Sequence, residues 1–148
     1  MWRVVFTAGL LVSLNAMPAH GIEFRSVASN KSVVYDAPSI EAKKLYILGS
    51  GYPVEVIVNL GEWIKVRDHF GSLSWIQNKQ LSAKRSVLIL QDNTPLKQAE
   101  DANAALVATL AKDVVVELVT PVAKNGWVKV KHRDGLTGFV QATALWGF

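Results

Sequence analysis

The strongest constraint on this chain is that it repeats itself. Gly61-Glu62-Trp63-Ile64-Lys65-Val66-Arg67 returns 64 residues later as Asn125-Gly126-Trp127-Val128-Lys129-Val130-Lys131. At the same spacing Gly71, Trp75-Ile76-Gln77 and Leu81 return as Gly135, Phe139-Val140-Gln141 and Leu145. Upstream the register holds with a shift of 62, pairing Val34 with Leu96, Ala37 with Ala99, Ala42 with Ala104, Leu48 with Leu110, Val54 with Val116 and Glu55 with Glu117. The two extra residues fall between Val58–Glu62 and the longer Thr120–Gly126, a turn-rich stretch where an insertion adds little loop-closure entropy. A collinear match with one loop insertion is the mark of a duplicated unit. Each unit has about 60 residues, below the ordinary domain size. The units are expected at 22–83 and 84–148, meeting near Ser82 to Arg85.

Within a unit the periodicity is that of strands. Val54, Val56 and Val58 alternate with Glu55 and Ile57, and Ile64 and Val66 alternate with Trp63, Lys65 and Arg67. His132-Arg133-Asp134-Gly135 reads as a hairpin turn, its Asp-Gly pair suggesting type I′, and Asp68-His69-Phe70-Gly71 holds the equivalent place. Short strands between Gly-containing turns predict a small all-β barrel. Gln98 to Leu110 is helical by propensity. Its repeat partner, Asp36 to Leu48, contains Pro38, so the repeat argues that both are long loops.

Met1-Trp2-Arg3, an apolar run from Val4 to Met17 and Pro18-Ala19-His20-Gly21 form the three parts of an export leader at 1–21, cut after Gly21. The apolar run is shorter than the ~20 residues of a membrane-spanning helix. A soluble periplasmic or secreted product with no membrane span after cleavage is therefore expected. Without the leader the 16 basic residues become 15 against 12 acidic ones, an excess too small and too dispersed for nucleic-acid binding. The chain has no cysteine, which excludes disulfides, zinc-thiolate sites, thiol nucleophiles and a lipidated cysteine after the leader.

Catalytic groups are sparse. The three histidines are His20 in the leader and His69 and His132, both in hairpin turns and read as solvated. No ligand spacing suits a metal, no strained Gly-x-Ser-x-Gly elbow surrounds a serine, and no Gly-rich phosphate loop occurs. Glu100-Asp101 are adjacent on a loop, which does not hold two carboxylates facing a substrate. The expectation is a protein without catalytic residues, metal or cofactor.

Strand alternation supplies the candidate binding residues. If Ile64 and Val66 face the core, Trp63, Lys65 and Arg67 face outward, and Trp127, Lys129 and Lys131 repeat the stripe. An aromatic ring beside cations suits a sugar or a peptide carrying carboxylates. Alternatively each Trp covers a barrel end or the junction of the copies. Tyr35, Tyr52, Trp63 and Trp75, with Pro38 nearby, could line a groove in the first unit, whereas the second has Lys97, Glu100 and Val114 at the positions of Tyr35, Pro38 and Tyr52. Trp75 and Phe139 read as core or core-edge residues, and Trp146 as packing the terminus onto the second unit.

The pattern Gly-x-Trp-x-Lys-Val, a charged turn with Gly, an aromatic-Ile/Val pair and a Leu resembles the bacterial SH3 domain. Gly61–Leu81 carries it once and Gly126–Leu145 again, and Val33-Val34-Tyr35-Asp36-Ala37-Pro38 is similar to the family's first strand and long loop. The second unit has the family's usual Gly before the aromatic, Gly138, where the first has Ser74. The resemblance implies two tandem five-stranded, partly open barrels used for binding, often in exported proteins and beside cell-wall enzymes. Two functions follow as expectations. One is an envelope binding module for cell-wall peptide, glycan or another envelope protein. The other is a structural or regulatory protein whose two barrels dock into a scaffold for an envelope complex.

Overall fold

A computed structural model describes residues 21–148, so the expected leader, Gly21 apart, lies outside the described residues. The chain forms two antiparallel sheets of the same design. The first contains β1 (Glu23–Val27), β2 (Ser32–Tyr35), β3 (Lys44–Leu48), β4 (Pro53–Asn59), β5 (Trp63–Arg67), β6 (Leu73–Gln77) and β7 (Leu81–Ser82). The second contains β8 (Ser86–Ile89), β9 (Thr94–Lys97), β10 (Leu106–Leu110), β11 (Val115–Leu118), β12 (Trp127–Lys131), β13 (Thr137–Gln141) and β14 (Leu145–Trp146). The strand orders are β3-β2-β6-β5-β4-β1-β7 and β10-β9-β13-β12-β11-β8-β14, the same permutation twice. Five strands, β3 to β4 in that order, form one continuous antiparallel run, and β1 and the short β7 continue it. A 3-10 turn, Asn78–Gln80 or Ala142–Ala144, precedes the last strand of each. Among the described residues no helix is long and apolar enough to cross a membrane.

The alternation that predicts strands also fills the core. Val27, Val34, Leu48, Val54, Ile64, Val66 and Ile76 are buried in the first barrel. Ile89, Leu96, Leu110, Val116, Val128, Val130 and Val140, their repeat equivalents, are buried in the second. Each such side chain contributes ~1.5–3 kcal/mol of hydrophobic stabilisation, which a chain without disulfides needs from packing alone. The second core adds Val87, Leu118 and Leu145.

Three local expectations are corrected. The hairpin turns are not type I′: Gly71 and Gly135 have φ of 87° and 96°, but the residues before them do not have positive φ. The Gly71 amide bonds to the Asp68 carbonyl and the Asp68 amide to that of Ser72, with His132, Gly135 and Leu136 repeating the pattern. This is a type I turn closed by a left-handed glycine, the usual three-residue hairpin. The stretches 36–48 and 98–110 are loops only as far as residues 43 and 105, because their last five residues form edge strands β3 and β10. Propensity loses there to pairing with β2 and β9. Finally, the alternation of β4 breaks at a bulge between Val56 and Val58, which leaves Ile57 and Val58 both exposed.

The barrels dock through corresponding elements. Ser86 Oγ donates to the Gly51 carbonyl, and Ser26 Oγ donates to that of Lys84 in the connection. Trp146 lies edge-on to Phe24 with centroids 5.1 Å apart. The Arg85 guanidinium sits 5.7 Å over the Phe24 ring and donates to the Gly147 carbonyl at 2.8 Å. Trp146 therefore packs the terminus onto the first barrel through Phe24, not only onto the second.

Gly138 has a steric reason. A Cβ there would lie 2.6 Å from the Lys97 carbonyl oxygen and 2.8 Å from Leu96 Cγ. Ser74 fills the same position in the first barrel, where it is buried. Gly138→Ala is expected to destabilise the chain by about 1–3 kcal/mol through overpacking. Ser74→Gly is expected to cost less than Gly138→Ala. Urea melts of the two variants against the parent test the asymmetry.

Candidate functional site

The cores fix which residues face outward. In β5 and β6, Ile64 pairs with Ile76 and Val66 with Ser74, all buried, so the other phase (Trp63, Lys65 and Trp75) faces out. Lys65 pairs with Trp75, and Trp75 with Tyr35 of β2. The strand register thus lines up Lys65, Trp75 and Tyr35 in one row across three strands. The Tyr35 ring meets Trp63 edge-on, centroids 5.4 Å apart at 88°, and Lys65 Nζ lies 5.8 Å from the Trp75 ring centre. Tyr35, Trp63 and Trp75 are all half-buried and share one outer face. Trp75 is therefore not a core residue: Ser74 and Ile76 take the inward positions on either side of it. Phe139 is corrected in the same way, between buried Gly138 and Val140.

The second barrel builds the same row with different chemistry. Trp127 starts β12, Lys129 pairs with Phe139, and Phe139 pairs with Lys97 of β9. Lys129 Nζ lies 5.9 Å from the Phe139 ring centre, repeating the cation contact of the first row. Trp127 is only 8% exposed and floors a cleft of about 320 Å³ whose lining includes Lys97, Gln91 and Gln141. No carboxylate among the described residues comes within ion-pair distance of Lys65, Lys129 or Lys131.

Two of the sequence-derived candidates do other work. Arg67 holds Glu55 through two hydrogen bonds of 2.9 and 2.7 Å, and this raises the guanidinium pKa further. Its charge is thus already matched by a carboxylate. Tyr52 does not join Tyr35, Trp63 and Trp75, because it sits on the turn before β4 and faces the barrel junction. Its hydroxyl bonds to His69 Nδ1. Pro38 is exposed in the loop after β2.

His69 lies in the hairpin turn, as expected, but is not solvated. Its side chain is 11% exposed, with Nε2 3.8 Å from Asp113 Oδ1 of the second barrel. Its ring stacks at 3.7 Å on Phe70 and lies 6.2 Å from Trp146. Next to it, Asp68 is buried and accepts from the Phe70 and Ser72 amides and from the Tyr46 hydroxyl. His132 is mostly covered too, and its Nδ1 lies 2.7 Å from Asp134 Oδ1, a contact that lowers the Asp134 pKa. The two histidines stand in different settings because they hold different positions in the turns, His69 aligning with Arg133 and His132 with Asp68. Among the described residues no group of three or more His, Asp and Glu could hold a metal ion.

Sequence reasoning missed the junction aromatics Phe24 and Trp146 as a pair, and the role of the Tyr35-to-Lys97 exchange. The signal was available: at both places the repeat alignment matches a large residue with a different one.

The sequence model of the family described as "Bacterial SH3 domain" matches residues 28–83 and again 91–147. No curated protein matches the chain. Among solved structures, NlpC1 of Trichomonas vaginalis shares 14% identity at a TM-score of 0.40 over 91% of this chain and 50% of that one. NlpC2 of the same organism shares 13% identity at a TM-score of 0.39, over 85% and 48% respectively. The chain spans about half the length of these two.

Burial pushes the Tyr52 phenol up to about 12, with the negative charge of Asp68 adding to the effect. In the unfolded chain the phenol ionises near 10. Between about 10 and 12 the unfolded state has therefore lost a proton that the folded state keeps, so stability falls as pH rises through that window. Tyr46, also raised, works in the same direction. Tyr52→Phe is expected to flatten this slope without abolishing it. Chemical denaturation at a series of pH values compares the variant with the parent, and equal slopes would remove Tyr52 as the source.

Proposed function

The chain belongs to the bacterial SH3 domain family, and on that premise we propose that it is an exported, non-catalytic binding module of the cell envelope that recognises cell-wall peptide or glycan. The observation that carries the ligand reading is the row of Tyr35, Trp63 and Trp75 with Lys65 on one outer face. The accessible parts of these three rings, carried on neighbouring strands, offer an extended chain an apolar aromatic surface. The unneutralised ammonium adds a charge-assisted hydrogen bond for a carboxylate. Export rests on the leader pattern at residues 1–21.

A second reading rests on a different observation, the docked barrel junction. Phe24, Trp146, Arg85 and the Ser86–Gly51 bond fix one barrel against the other, as a scaffold for an envelope complex requires.

Sedimentation with purified peptidoglycan at low salt tests the first reading. The chain is expected to pellet with the wall, and Lys65→Ala with Trp75→Ala to weaken binding by about 30-fold or more, as for an aromatic hot spot. A thermal melt checks that the variant keeps its fold. A chain that stays wholly in the supernatant refutes wall binding. In that case affinity capture from envelope extract separates the remaining possibilities. A partner lost with Trp75→Ala uses the aromatic row, whereas one lost only with Trp146→Ala uses the docked scaffold.

A further inference from the structure

We propose that the second barrel carries a small-ligand cleft over Trp127 which the first barrel has closed with Tyr35, and that this cleft takes the carboxylate end of a short peptide. The proposal rests on the envelope-binding reading for its biological ligand and on the cleft alone for its chemistry. In the first barrel the Tyr35 ring stands edge-on against Trp63 and occupies the space beside the indole. In the second barrel the equivalent of Tyr35 is Lys97, whose ammonium is drawn along the β9–β10 loop by a 3.2 Å hydrogen bond to the Ala104 carbonyl. With no ring at that position, the cleft stays open between Lys97, Ala102 of the loop, the turn before β9 and Gln141. Its volume of about 320 Å³ lies at the lower end of small-molecule sites.

The lining defines the ligand class. Asp92 is the one carboxylate lining the cleft, and its Oδ1 already accepts the Lys112 amide at 3.0 Å. Lys97 is the one cation of the lining, and the ammonium N–H groups not engaged by Ala104 can donate to a carboxylate. The side-chain amides of Gln91, Asn93 and Gln141 both donate and accept, which matches the N–H and C=O groups of a peptide backbone. The indole of Trp127 and the methyl group of Ala102 supply the apolar floor and wall for a small side chain. A peptide terminus presents carboxylate, amide and small side chain within a few ångströms. The cleft of the second barrel is thus a terminus-reading site, distinct from the aromatic row of the first.

The test titrates the full chain with N-acetyl-trialanine, with its carboxyamide and with N,N′-diacetylchitobiose, following the Trp indole N–H signals by NMR. The free acid is expected to move the Trp127 indole and to bind about tenfold or more tightly than the carboxyamide. Lys97→Tyr, which installs the residue of the first barrel, is expected to abolish the shift, and Tyr35→Lys to create one at Trp63. Should Lys97→Tyr fail to fold, Lys97→Gln keeps the cleft and is expected to remove the preference for acid over amide. No movement of Trp127, equal binding of acid and amide, a response to the disaccharide alone, or binding retained in a folded Lys97→Tyr chain each overturn the proposal. A chain that pellets with peptidoglycan yet ignores the peptide leaves the envelope reading intact and removes the cleft. A chain that binds the peptide but does not pellet does the reverse.

Discussion

The pairing of Ile64 with Ile76 in β5–β6, and of Val128 with Val140 in β12–β13, is the constraint on which the rest depends. All four side chains are fully buried. Because side chains alternate strictly along a strand, placing these inward sends Trp63, Lys65 and Trp75 outward, and likewise Trp127, Lys129 and Phe139. A one-residue slip would put two indoles and a lysine into the core and Ile64 and Ile76 into water. The hydrophobic cost of that slip fixes the position of the candidate binding row.

Such a scaffold leaves its outer positions free to change. The seven core positions shared by the barrels exchange only among Val, Ile and Leu. The outer ones exchange Tyr for Lys at 35 and 97, and Trp for Phe at 75 and 139. Duplication thus gives two platforms of one fold and different surface chemistry. The first presents an aromatic face with one ammonium, and the second a cleft with a buried indole as floor.

Most of the fold was legible in the sequence because a repeat reports twice on each position. Strand identity, core phase and the outward stripe all followed from matching Gly61–Leu81 with Asn125–Leu145. The edge strands β3 and β10 were not legible, since Leu45 and Leu106 are exposed and their strands are held by pairing rather than by alternating burial. Tyr52 and His69 escaped for another reason. Both lie in turns, where periodicity says nothing, and both are placed by contacts with residues far away in sequence, including Asp113 and Trp146. The cleft over Trp127 was visible as a substitution, but whether losing Tyr35 removes a groove or opens one depends on where the neighbouring loop runs.

The docking surface follows from the duplication as well. Gly51 and its repeat equivalent Asp113 both lie in the junction, each with positive φ, and so do Pro53 and its equivalent Val115. A Cβ on Gly51 would meet Val115 at 3.4 Å, and one on Gly147 would lie 2.8 Å from Pro53. Residues around the β4 and β11 starts of the two barrels thus meet at the junction. The two sides differ in chemistry: Phe24, Trp146 and His69 stand where their repeat equivalents are Ser86, Ser82 and Arg133. A symmetric pair would have to fit two copies of each bulky ring into one junction. With one set, Phe24, Trp146 and His69 pack together while Ser86 and Ser26 make the short bonds beside them. Tyr52, which the first barrel commits to this junction through His69, is then unavailable to its outer face. That is why the candidate row there has three rings and not four.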